Sequence, residues 1–92
     1  MRDYSKDFAE WRKKRAGVER PIYDDPADAG IKTDFRVGQQ VSFTNRHGVR
    51  FEPLKIMGFC KPTPDMYGRC VYLNYDCYWL PTELESLKPY RK

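Results

Sequence analysis

Proline and glycine recur so often along this chain that it has almost no room for a long helix. Seven Pro and six Gly stand among 92 residues, and each either removes a backbone donor or loosens the backbone, so short segments joined by turns are favoured over helical bundles. A chain of this length supports one small core and excludes most multi-domain enzymes. With 40% hydrophobic, 33% charged and 15% aromatic residues, it is apolar enough to fold and too aromatic to be wholly disordered.

Charge divides the chain into three blocks. Residues 1–20 carry +3, residues 21–35 carry −3 from Asp24, Asp25, Asp28 and Asp34 against Lys32, and residues 36–92 carry +4. The first block reads as an N-terminal amphipathic helix. Asp3 or Ser5 supplies the N-cap, Tyr4, Phe8 and Trp11 form one aromatic stripe at i, i+4, i+7, and Gly17 ends it. Arg12, Lys13, Lys14 and Arg15 crowd the last turn, where positive charge complements the helix dipole. A helix of about twelve residues is marginal alone in water, so the stripe needs a surface, either the sheet of the same chain or a partner. The second block, with Pro21, Pro26 and Gly30, reads as an acidic linker with little to bury.

Residues 36–92 alternate with period two. Gln40–Thr44 forms a strand, Asn45–Gly48 a turn, Leu54–Met57 a second strand and Arg69–Leu73 a third. Asn74–Asp76 is a tight turn into a fourth strand, Cys77–Leu80, which Pro81 ends. One helical turn over Thr82–Leu87 and a short strand from Leu87 to Tyr90 follow. A mainly β fold is expected, a small bent barrel of four to five antiparallel strands. Val37, Val41, Phe43, Leu54, Ile56, Val71, Leu73, Leu80, Leu84 and Leu87 fill its interior.

These segments resemble the SH3-like small barrels. The resemblance rests on Phe35–Val41 with its Val37-Gly38, on Gly48, on Ile56-Met57-Gly58-Phe59, on Val71-Tyr72 and on Trp79-Leu80-Pro81 leading through Thr82–Leu87. It covers about 55 of the 92 residues, and implies an architecture with ligand binding across an aromatic surface. The group includes Tudor, KOW and plasmid-borne type II dihydrofolate reductase domains. The reductases' V-Q-I-Y segment falls near Cys77-Tyr78-Trp79-Leu80 and is not matched. In size and style the chain also resembles accessory proteins of phages and plasmids.

Strand parity locates the candidate site. If Ile56, Val71, Leu73 and Leu80 point inward, then Lys55, Met57, Phe59, Cys70, Tyr72, Asn74, Cys77 and Trp79 share the opposite face. Phe59, Tyr72 and Trp79 then make an aromatic patch beside Arg50, Lys55, Lys61 and Arg69, a pattern that stacks bases while neutralising phosphates. The stripe of Tyr4, Phe8 and Trp11 is the competing cover for the same patch.

Other chemistry has weaker support. Cys60, Cys70 and Cys77 are spaced too widely for a zinc knuckle. They read as free thiols, of which Cys70 and Cys77 are placed to meet across a hairpin. His47 reads as a solvated turn residue. Glu52, Asp65, Asp76, Glu83 and Glu85 show no catalytic spacing, and the P-loop, G-x-G-x-x-G, H-E-x-x-H and G-x-S-x-G motifs are missing. A net charge of +4 favours acidic partners.

The expected function is therefore a non-enzymatic binding module for nucleic acid or a host nucleoprotein complex, with Arg12–Arg15 adding phosphate contacts. One alternative is a protein-interaction inhibitor or adaptor of phage or plasmid origin. Another is a small oligomeric reductase. No metal or cofactor is expected. No apolar run approaches the roughly 20 residues that cross a bilayer, and Met1–Ala9 lacks an apolar block after a basic start, so a cytoplasmic monomer or dimer is expected.

Overall fold

The computed structural model describes residues 2–15 and 21–91. A helix α1 (Ser5–Lys14) precedes a 3₁₀ turn at Pro26–Ala29 and four strands, β1 (Gln40–Thr44), β2 (Arg50–Phe59), β3 (Val71–Leu73) and β4 (Leu87–Pro89). The antiparallel sheet has the order β3-β2-β1-β4. Its edge strands do not pair with one another, so the expected barrel is not closed.

The β1–β2 hairpin forms where the alternation predicts it. Asn45 Oδ1 accepts from the amides of His47 and Val49, both at 2.9 Å. Gly48 adopts the left-handed conformation the turn needs, with φ 79°. After β3 the chain folds through residues 74–80 and returns at one residue: Thr82 N donates to Val71 O at 2.7 Å. The expected strand over Cys77–Leu80 is thus a correction. Leu80 N donates to Cys77 O instead, and Pro81 has no donor to extend a ladder. A 3₁₀ turn at Leu84–Ser86 leads into β4, which pairs with β1.

Two apolar layers flank the sheet. The inner core gathers Val41, Leu54, Ile56, Phe59, Cys70, Val71, Leu73, Tyr75 and Leu87. Val37 and Leu80, expected inside, are 40% and 37% exposed. Residues 21–35, expected to bury little, bury Pro26, Ala29 and Ile31, and Tyr23 bridges Phe59. The reason is local. Asp25 caps the 3₁₀ turn by accepting from Ala27 N, and Gly30 terminates it in the left-handed region, which folds the acidic side chains outward and the apolar ones in.

The second layer lies outside the sheet, between it and α1. Phe8, Cys60 and Tyr72 are buried there, with Trp11, Ile22, Met57 and Tyr78 packed around them. The N-cap residue is Tyr4, not Asp3 or Ser5; Asp3 precedes it and steadies the helix start, its Oδ1 accepting from Ser5 N at 2.8 Å and from Asn74 Nδ2 at 3.0 Å. Asn74 Oδ1 in turn accepts from Lys55 N at 2.7 Å, so one polar chain ties the helix start to β2. The expected stop at Gly17 lies outside the described residues.

Candidate functional site

The face opposite the inner core contains the predicted aromatic patch only in part. Between Ile56 and Gly58 the register of β2 against β3 shifts by a bulge, and an extra residue inverts the parity beyond it. Phe59 therefore turns inward and is 0% exposed. Tyr72 does point to the outer face, but α1 covers it. Its ring lies 5.6 Å from Phe8 and 5.8 Å from Trp11, leaving it 1% exposed. Neither ring is available to a ligand. Of the three aromatics, Trp79 remains open, at 51%.

The basic candidates are spread over separate surfaces. Arg12 is spent on the chain itself, with Nη1 donating to Asp24 and Nη2 to Ile22 O, each at 2.8 Å. Arg15 lies over the Trp11 ring, 4.8 Å from its centroid, while Lys13 and Lys14 point to solvent. Lys55 is half-buried and Lys61 exposed. Arg50 belongs elsewhere, on the polar outer groove of β4-β1-β2 with Ser42, Glu52, Glu85, Lys88 and Arg91, where Ser42 Oγ donates to Glu52. Arg69 is half-buried and lines a separate cleft.

What does assemble is a cluster of rings and guanidiniums around Tyr78. The Tyr78 ring stacks on Tyr4 at 6.1 Å, meets Trp11 edge-on at 6.3 Å and meets Trp79 edge-on at 5.1 Å. Arg2 sits over Tyr4 at 4.6 Å, mirroring Arg15 over Trp11. The edge-to-face contact with Tyr78 braces the Trp79 indole while leaving it 51% exposed.

A second concavity was not foreseen. Phe43, Thr44, Asn45, Arg46, His47, Arg69, Tyr75, Leu80, Pro81, Thr82, Glu83 and Ser86 line a cleft of about 300 Å³ between the β1–β2 turn and the 75–86 segment. Burial pushes the Tyr75 phenol up to about 12, helped by Cys77 and Asp76, so it stays a neutral donor, facing Leu80 O at 3.4 Å. Arg46 and His47 ride on the turn that the Asn45 side chain frames, but nothing local in the sequence joins that turn to Arg69.

The cysteines are free. Burial first, then the neighbouring Cys60 and Glu85, pushes the Cys70 thiol up to about 11, and burial followed by Asp76 raises Cys77. Both are weak nucleophiles at neutral pH. Among the described residues no group of three or more His, Cys, Asp or Glu gathers to hold a metal, and no helix is long and apolar enough to cross a membrane. Comparison of the chain with family models, with curated proteins and with solved structures gives no match.

Proposed function

We propose that this chain is a non-catalytic binding module of SH3-like architecture that holds single-stranded nucleic acid, stacking a base on Trp79. The observation that carries the reading is the 51% exposed Trp79 indole, braced by Tyr78. Stacking tolerates any base and a net charge of +4 favours a phosphate backbone, so the surface suits strands of any sequence. The architecture is supported by the strand order, by the Val71–Thr82 bridge and by the 3₁₀ turn that returns β4 to β1.

An exposed Trp beside Tyr and Arg also suits a protein hot spot. The acidic segment fits that alternative better, with Asp28 and Asp34 exposed, although Asp24 is engaged by Arg12 and Asp25 by Ala27 N. Fluorescence anisotropy with a labelled single-stranded oligonucleotide at several salt concentrations separates the two. The reading expects log affinity to fall linearly with log salt, and Trp79→Ala to weaken binding about tenfold, the loss of one stacked base. Absent or salt-insensitive binding, or an unaffected Trp79→Ala variant, would remove it. Stoichiometric recovery of one host protein after nuclease treatment would replace it with the protein-partner reading.

A further inference from the structure

The cleft between the β1–β2 turn and the 75–86 segment combines features that are costly unless something fills it. Its lining is mixed: an apolar part in which Phe43 and Tyr75 meet edge-on with centroids 5.8 Å apart and Leu80 is left 37% exposed, and a polar part that includes Thr44, Asn45 and Ser86. Its rim carries the guanidiniums of Arg46 and Arg69. Among the described residues neither has an ion-pair partner, although Arg12 and Arg2 elsewhere do. Arg69 is half-buried, and a partly desolvated guanidinium without a carboxylate is stabilised by an anion able to accept its planar fork.

The frame is rigid on both sides. The Asn45 side chain holds the turn that bears Arg46, through the amides of His47 and Val49. Opposite, Thr82 is pinned to β3 by backbone bonds and by Thr82 Oγ1 donating to Val71 O at 3.2 Å. Such a cleft takes a flat ring against the exposed side of Leu80 and the part of half-buried Phe43 that Phe51 and Tyr75 leave open, with a phosphate at Arg46 and Arg69 of the same lining. Glu83, the one carboxylate in the lining, is an acceptor for an exocyclic amino group.

We propose that the Phe43, Tyr75, Arg46, Arg69 cleft is a binding site for a nucleoside monophosphate unit, either a free mononucleotide or the phosphorylated end of a strand. Trp79 is not part of its lining, so the site stands or falls separately from the stacking surface proposed above.

Isothermal titration of the full chain at low salt with AMP, adenosine and inorganic phosphate tests it. AMP is expected to saturate one site, with adenosine and phosphate each bound at least about tenfold more weakly, since each keeps only half of the contacts. Arg46→Gln and Arg69→Gln are each expected to lower AMP affinity about tenfold. Arg46 is exposed, so its variant keeps the fold and remains informative if Arg69→Gln does not. Lys32→Gln, an exposed cation outside the lining, should leave AMP affinity unchanged. The proposal is overturned by unsaturable AMP, by adenosine binding as tightly as AMP, by a neutral Arg46→Gln, or by Lys32→Gln matching the loss from Arg46→Gln. Oligonucleotides with and without a 5′-phosphate identify the source. A gain of about tenfold from that phosphate, lost in Arg46→Gln, supports a strand end; equal affinities with AMP still bound support the free nucleotide.

Discussion

Replacing Gly58 by alanine probes the contact between the sheet and the segments that cover it. A Cβ at this position would lie 2.7 Å from Ile22 Cγ2, 3.5 Å from Tyr23 O and 3.7 Å from Phe8 Cζ. Ile22 would have to retreat by about an ångström to reach ordinary van der Waals separation. It has little freedom to do so. A β-branched side chain is stiff at χ1, and Tyr23 next to it is pinned to Phe59 by two backbone bonds of 2.7 and 2.8 Å.

Overpacking of this kind costs about 1–3 kcal/mol. The lower unfolded-state entropy of alanine returns about 0.4–1 kcal/mol, because Gly58 lies outside the left-handed region and alanine adopts its backbone freely. The net expectation is a loss centred on about 1.3 kcal/mol, the difference of the two midpoints, read as a lower urea midpoint at unchanged m value. In an Ile22→Ala background the clash disappears, so the double-mutant cycle should give a coupling of about 1 kcal/mol or more. If Gly58→Ala is as stable as the parent, or if its loss is the same with Ile22 truncated, the reasoning about this interface is refuted.

Two further outcomes concern the same cover. Phe8→Ala removes a buried ring packed on Tyr72 and Trp11 and should cost about 3–5 kcal/mol in chemical denaturation; a loss below about 1 kcal/mol would mean that the helix does not hold this face. The Asp3 carboxyl is held down to about 2, from 3.8, by the Ser5 hydroxyl, then the Ser5 amide and Asn74. A depressed carboxylate stabilises the fold above its unfolded pKa, and that contribution is lost as pH falls through about 2. The stability gap between parent and Asp3→Asn should therefore shrink between pH 5 and pH 2, and a gap of constant size would contradict the helix-start bonding.

Much of the architecture was legible because it depends on local rules. The β1–β2 hairpin follows from alternation and the Asn45–Gly48 turn, the 3₁₀ turn before β4 from Pro81 and Thr82–Leu87, and α1 from the Tyr4, Phe8, Trp11 stripe. The site was less legible, for two physical reasons. Parity arguments count residues one by one, and the bulge between Ile56 and Gly58 turned Phe59 into the core. The face of Tyr72 was inferred correctly, but whether α1 covers it depends on long-range packing that competes with docking elsewhere. Residues 21–35 hid their contribution for a related reason: four aspartates mask Pro26, Ala29 and Ile31, whose burial depends on a 3₁₀ turn too short to show a period. The Arg46–Arg69 cleft joins residues 23 positions apart, and no local pattern connects them.

The most direct test compares the two indoles in chains that keep only one of them, Trp11→Phe and Trp79→Phe, during titration with a single-stranded oligonucleotide. A closed helix–sheet face with an open Trp79 predicts saturable quenching of the Trp79 emission, weakening with salt, and an unchanged Trp11 emission. Quenching of Trp11, or no response from either indole, would contradict both the covered face and the proposed stacking surface.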